Sequence, residues 1–425
     1  MIKTDRKRSH IIGEYPVGTI FGEEEINAIR RVLESGEALT RGPDVELFEK
    51  EFAEYSGAKH AIAVSSCGAA LRIATQVLHL GPKDEVICQA NAFWCTIVPL
   101  LERNVPIRVA DIDPTTLNID PEKIEPLITP KTKAIYVMHH GGNPADLDSI
   151  REIANEYGLV VVEDAAHAVG AEYKGRKIGC DSDIACFSFS TVKNMTTLGE
   201  GGMFVTNNKE YADMAWGIRT SYPFGEKVKR ETPDRLGDYP KPKSVMFMHA
   251  GDAWDYDWLR ADEFGTNYRL STTQAAVGRV QLKKLDKNIE MRKKIAKRYN
   301  EAIEEIDGLR PVRILPNCKH AWHLFTYFLN SESGIERNEY VKYMEEIHNI
   351  HIVIRFWPIH LGAIMRMHGH KLGECPVCEH VWFKEQLSLP ISPQIKDEEI
   401  NTINEALFET MATLRKKKNK RELWA

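Results

Sequence analysis

The 425-residue chain is 43% hydrophobic and 28% charged, which excludes a disordered chain and leaves room for two domains sharing an extensive core. A formal net charge of -5 and a sequence pI near 6.3 supply no polycationic surface, so nucleic acid is not the expected partner. The basic stretch at residues 1–10 lacks a signal-peptide core and no uninterrupted apolar run reaches spanning length, so a cytoplasmic protein acting on small molecules, with no membrane partner, is expected.

Residues 1–16 read as a polar arm. Gly22 and three following glutamates open the first helix, with acids in its first turn and apolar residues at helical spacing. Seven β-rich runs then alternate with helical segments, at 61–66, 85–89, 107–112, 134–139, 159–163, 184–190 and 203–206. They predict an α/β fold with a mostly parallel seven-stranded sheet sandwiched by helices.

The first run ends in Ser-Ser-Cys-Gly-Ala-Ala-Leu at 65–71. A strand, a small-residue turn and a helix in that order present backbone N–H groups to an anion, which makes Gly68 and Ala69 candidate phosphate donors. A tight turn without a ligand is the alternative. The second run leads to Trp94, an aromatic just past a strand end that can stack on a flat ring, with Phe93 as its competitor. His139 and His140, at a later strand end, read as the wall of a site.

The run at 159–163 is continuously apolar and ends at Asp164, and ligands of open α/β sheets gather at such strand ends. The run at 184–190 delivers Lys193 into a turn of small and hydroxylated residues. An ammonium near apolar walls loses hydration, its pKa falls, and the free amine becomes a nucleophile toward carbonyls. Lys193 and Asp164 are the pair that pyridoxal phosphate requires: a lysine for its Schiff base and an acid that keeps its ring nitrogen protonated. Taken singly, Asp164 reads first as an N-cap for the next turn, and Lys193 equally as a solvated loop residue. Glu200 and the two glycines after it let the chain turn sharply beside the lysine.

Residues 220–262 dissolve into Pro, Gly, charges and aromatics and read as a functional or subunit-bridging insertion that sets specificity. A long helix at 272–306 follows, its Lys and Arg run a solvated face. Strands at 323–329 and 351–355 mixed with helices predict a smaller C-terminal α+β domain, and 415–421 reads as a frayed end. The expected division is thus an arm at 1–16, a large cofactor domain at 17–263 with the 220–262 insertion, and the long helix with the small domain at 264–425. The eight cysteines read as reduced thiols. His368, His370, Cys375 and Cys378 could in principle hold zinc, but a second Cys-x-x-Cys is missing and no metal is expected.

The succession of Glu-Asp-Ala-Ala-His at 163–167, Tyr-Lys-Gly-Arg-Lys-Ile-Gly at 173–179, Phe-Ser-Phe-Ser-Thr-Val-Lys at 187–193, Gly-Glu-Gly-Gly at 199–202, Gly-Thr-Asn-Tyr-Arg-Leu-Ser at 265–271 and Leu-Ser-Leu-Pro-Ile-Ser at 387–392 resembles the DegT/DnrJ-type sugar aminotransferases. The resemblance implies the type I fold of pyridoxal-phosphate enzymes, pyridoxal 5'-phosphate on Lys193, glutamate or glutamine as amino donor, and a keto-sugar acceptor, commonly nucleotide-linked. Cyclitol ketones and sugar phosphates stay open. It further implies that Ser188 holds the cofactor phosphate, that Trp94 is the aromatic platform and that His167 faces the ring. Asn267 would reach the phosphate of the neighbouring subunit, giving a homodimer with shared sites. The family usually has Gly-Thr where this chain has Cys67 and Gly68, so one phosphate-binding hydroxyl is missing. Relatives with histidine in place of the lysine dehydrate their substrates, which the presence of Lys193 disfavours. A non-catalytic protein that keeps the fold is the rival from another class. A nicotinamide dehydrogenase is disfavoured because no Gly-x-Gly-x-x-Gly follows the first strand.

Overall fold

A computed structural model describes residues 11–220 and 265–422, so the 220–262 segment lies outside the described residues apart from Thr220. All seven predicted runs are strands: β1 His60–Val64, β2 Glu85–Gln89, β3 Ile107–Ala110, β4 Thr132–Met138, β5 Val160–Asp164, β6 Ile184–Ser188 and β7 Gly202–Thr206. They form one sheet in the order β1-β7-β6-β5-β4-β2-β3. The pairs from β3 to β6 are parallel, and β7 runs antiparallel to both β6 and β1. The central strands are buried on both faces, which is why they read as unbroken apolar runs rather than alternating ones.

Helices cover both faces: α1 Glu23–Glu34, α2 Pro43–Ser56, α3 Cys67–Val77, α4 Leu147–Tyr157 and α5 Lys209–Thr220. Alanines and glycine on α3 let it lie close to the sheet. At Gly202 a β-carbon would fall 2.4 Å from the Ser66 carbonyl carbon, so only glycine fits where β7 passes the start of α3. That contact brings the Lys193 turn and the α3 N-terminus to the same edge of the sheet.

Helix α6, Thr272–Glu305, opens on a capping box in which Ser271 and Gln274 satisfy each other's backbone. Its 34 residues span about 50 Å at the usual helical rise, from α1 and α2 to the second domain. There β8 Leu309–Pro311, β9 Phe325–Leu329 and β10 Gln386–Leu389 make an antiparallel sheet against α7 Arg337–His348 and α8 Asp397–Glu422. The expected strand at 351–355 is not one: Val353 makes a single bridge to Ser388. The stretch at 415–421 is also not a frayed end, because α8 runs to Glu422 and Arg415 bonds the Asp307 carbonyl and carboxylate at 2.6 Å.

Residues 12–18 are packed. Ile12 pairs with Ile350 in the small domain, Tyr15 donates to Glu399 at 2.8 Å, and the Gly18 N–H donates to the Thr191 carbonyl at 2.9 Å. The buried Arg292 of α6 ties three segments together by donating to the carbonyls of Gly18, Trp322 and Ile391 at 2.6, 3.1 and 3.1 Å. The eight cysteines are unpaired. Among the described residues no group of three or more His, Cys, Asp or Glu could hold a metal ion: Cys375 and Cys378 are buried, and His370 turns to Glu374 at 2.8 Å. No described helix is long and apolar enough to cross a membrane.

Candidate active site

The C-terminal ends of β1, β2, β4, β5 and β6 come to one edge of the sheet, as the register pairs Met138 with Asp164, Asp164 with Cys186 and Ser188 with Gly202. Asp164 ends β5 and is buried. Its carboxylate accepts from the Thr96 hydroxyl at 2.6 Å and from the Ala166 N–H at 3.1 Å, and the Cys67 thiol stands 3.9 Å away. Burial raises the Asp164 pKa, and the Thr96 and Ala166 bonds and the charge of Lys193 oppose it.

Lys193 sits in a turn closed by its own backbone: Phe189 N–H to Gly201, Thr191 N–H to Gly199 and Lys193 N–H to Ser190, at 2.8 to 3.0 Å. Gly199 takes a left-handed φ of 114° there, a conformation that favours glycine. The lysine is partly buried, and desolvation lowers its pKa to about 8, against the pull of Asp164. The site therefore has a carboxylate that stays in place by hydrogen bonding and an amine that burial makes nucleophilic.

The start of α3 faces the same edge. Ser66 caps it, its hydroxyl accepting the Ala69 N–H at 3.1 Å, so one of the two expected phosphate donors is engaged within the chain. A β-carbon on Gly68 would meet only the Ser66 hydroxyl, at 3.7 Å. Ser188 is buried at the end of β6, two residues before Ser190, whose N–H approaches its hydroxyl at 3.4 Å. Trp94 opens the short turn that carries Thr96; it is 39% exposed, and its ring lies beside Gly362. His167 is buried, accepts the Gly141 N–H at 3.3 Å, stacks on Phe356 at 5.5 Å and lies 4.3 Å from the His323 ring. Burial first, and the Lys193 charge next, hold it well below the ordinary histidine range, so it is neutral.

Asn267 is not brought into this group. It is exposed, with its side-chain oxygen 3.4 Å from the Arg269 N–H, while the neighbouring Tyr268 carbonyl accepts the Ser65 N–H at 2.7 Å. His139 is engaged in the fold, between Glu163 at 3.1 Å and the Ala145 N–H at 3.1 Å. Sequence reasoning missed Thr96, which orients Asp164, and Gly18, whose missing β-carbon lets the N-terminal segment lie on the Val192 and Lys193 carbonyls. Thr96 lies beside the singled-out Trp94, the one signal that could have found it.

The family model for the DegT/DnrJ/EryC1/StrS aminotransferase family matches residues 19–408. The chain is 37% identical over 405 residues to the spore coat polysaccharide biosynthesis protein SpsC of Bacillus subtilis (strain 168), covering 95% of this chain and 97% of that protein. It is 34% identical to the dTDP-3-amino-3,4,6-trideoxy-alpha-D-glucose transaminase of Streptomyces venezuelae, covering 87% of each. The crystal structure of NtdA from Bacillus subtilis with bound cofactor PMP superposes with a TM-score of 0.76 at 28% identity, covering 92% of this chain and 82% of that one.

Proposed function

The chain belongs to the DegT/DnrJ/EryC1/StrS aminotransferase family, and from that premise we propose that it moves an amino group from glutamate or glutamine to a nucleotide-linked keto-sugar, with Lys193 as its catalytic residue. The observation that carries this is the pairing at one sheet edge of a lysine lowered to about 8 with a buried, hydrogen-bonded carboxylate. The relative that acts on a dTDP-linked sugar supports the acceptor class.

The residues fit pyridoxal 5'-phosphate, whose aminated form is PMP. Lys193 would hold it covalently and Asp164 would face its ring nitrogen, with the Thr96 hydroxyl keeping the carboxylate turned that way. Ser188 and the Gly68 and Ala69 N–H groups would hold the phosphate, with Asn267 arriving from the other subunit of a homodimer. Trp94 and His167 would flank the ring. When bound, the cofactor supplies a carbonyl that condenses with amines and a ring that accepts the electron pair left by a departing proton.

Lys193 would hold the cofactor until the donor arrives, and its released Nζ would then be free to act as a base. Nζ would then be the group that moves the proton of the donor's α-carbon, and it would serve the acceptor in the opposite direction. Asp164 would face the ring nitrogen as a carboxylate, with the Thr96 and Ala166 bonds and the Lys193 charge opposing the burial that raises its pKa. His167, neutral and bonded through Nδ1 to the Gly141 N–H, packs and orients without moving a proton.

The test is a screen of keto-sugars, free, phosphorylated and nucleotide-linked, and of cyclitol ketones, against glutamate and glutamine, with the aminated product identified by mass. Amination confined to nucleotide-linked acceptors supports the proposal. Transfer only to cyclitol ketones or sugar phosphates, or none at all, contradicts it.

A further inference from the structure

Between Arg355 and Gly362 the chain crosses from the small domain to the edge of the large sheet that carries Asp164. Arg355 lines the same cleft as Val192, the neighbour of Lys193. The Phe356 ring stacks on His167 at 5.5 Å and meets Phe93 at 5.3 Å, while its N–H donates to Asn91 at 3.0 Å. The Ile359 N–H donates to the Ala90 carbonyl at 2.9 Å, just past the end of β2, and Gly362 sits beside the Trp94 ring. The crossing is therefore fastened to the site at both ends. Trp357 is its one exposed residue between Ile352 and Leu361, with 49% of its surface open.

The Trp357 indole is open to solvent but held in place. Trp382, in the turn before β10, meets it at 4.5 Å with the ring planes 73° apart, and Phe383 does so at 5.9 Å and 82°. Those two rings cross each other at 4.9 Å and 89°. The buried Arg337 in turn sets its guanidinium 5.4 Å from the centre of the Trp382 ring and donates to the Trp382 carbonyl. Neither neighbour lies parallel to the Trp357 indole, so it has no stacking partner in Trp382 or Phe383. A large aromatic that is braced at its edges and left open marks a place where something flat and apolar is bound.

A nucleotide-linked acceptor has such a group at the right end. Its base is separated from the carbon to be aminated by the sugar, the phosphates and the ribose. With that carbon at Lys193, the base must rest outside the cofactor pocket, on the rim that residues 355–362 form. A platform already fixed by its neighbours loses little freedom when a base settles on it, and every base has a face to offer.

We propose that Trp357 is the platform on which the base of a nucleotide-linked acceptor stacks. This rests on the nucleotide-linked keto-sugar reading above and names a residue that separates such an acceptor from a bare sugar phosphate.

The test uses the cofactor-loaded protein and measures binding of dTDP, UDP and GDP by calorimetry, against pyrophosphate, which carries no base, with tryptophan fluorescence followed in parallel. The tightest of the three nucleotides should bind at least tenfold more tightly than pyrophosphate and quench the fluorescence. Trp357→Ala should close that gap, and Trp357→Phe should keep most of the affinity while losing most of the quench. An unchanged gap in Trp357→Ala overturns the platform alone and leaves the acceptor class standing. If Trp357→Ala weakens pyrophosphate by the same factor as the nucleotides, the residue only props the crossing, and the proposal is overturned. If sedimentation shows a wild-type dimer and a monomeric Trp357→Ala, the indole serves the contact with a second copy, which overturns it as well. A wild-type protein that binds none of the three nucleotides removes both the platform and the nucleotide-linked reading.

Discussion

Lys193 at a pKa of about 8 keeps about 300-fold more of its amine free at neutral pH than a lysine at 10.5 would. The folded value lies below the unfolded one, so the protonated form is penalised in the fold. The penalty is full below pH 8 and is relieved as pH rises from 8 toward 10.5. Capture of pyridoxal phosphate by cofactor-free protein should therefore speed up through pH 8 and level off above it, followed as the onset of visible absorbance. A rate that climbs unchanged to pH 10 would mean an ordinary lysine. Thr96→Val removes the 2.6 Å bond to Asp164, so a loss of about 1.5–3 kcal/mol of support for that carboxylate should lower turnover by about tenfold or more with cofactor retained. Gly68→Thr has space for its β-carbon and restores the missing hydroxyl, so the cofactor dissociation constant should fall by about tenfold. Lys193 and Asp164 were legible because Asp164 closes one strand that can be read as an apolar run and Lys193 follows another by five residues. Thr96 was not, because its partner lies 68 positions along the chain and a threonine carries no sign of what it will face.

At the scale of elements, the seven strands were readable because parallel strands buried on both faces must be continuously apolar. The stretch at 351–355 has the same β-branched look but spends its polar partners differently: beyond the Val353 bridge, the Arg355 carbonyl and Phe356 N–H bond to side chains of Gln386 and Asn91 rather than to a ladder. Nor does any pattern within residues 12–20 disclose that they pack across the Lys193 turn, since that contact depends on backbone proximity. At Gly18 a β-carbon would fall 2.0 Å from the Val192 carbonyl oxygen and 2.3 Å from that of Lys193. Gly18→Ala should therefore lift the segment and cut turnover at least tenfold, while urea unfolding moves little. Arg292→Leu is the complementary case. It strips three carbonyls of a buried donor and should cost about 3 kcal/mol or more in urea unfolding.

For the whole molecule, the Lys193 turn supplies Val192, and the second sheet and the stretches that lead into it supply His323, Arg355 and Ser388, to one cleft. The exposed Asn267, on the stretch beside β1, is the one proposed cofactor ligand that the single chain leaves outside. If it serves a partner's site, Asn267→Ala weakens cofactor binding by about 1–3 kcal/mol. Mixing it with Lys193→Ala should then restore activity as subunits exchange, because one of the two sites keeps both residues; exchange without recovery would place Asn267 elsewhere. The most direct measurement of the central claim is borohydride reduction of the cofactor-loaded protein followed by peptide mapping. The cofactor should be fixed to Lys193 and to no other lysine, and prior incubation with glutamate should abolish that label. A label on another lysine, or one on Lys193 that glutamate leaves in place, would contradict the assignment of Lys193 as the residue that holds the cofactor and yields it to the donor.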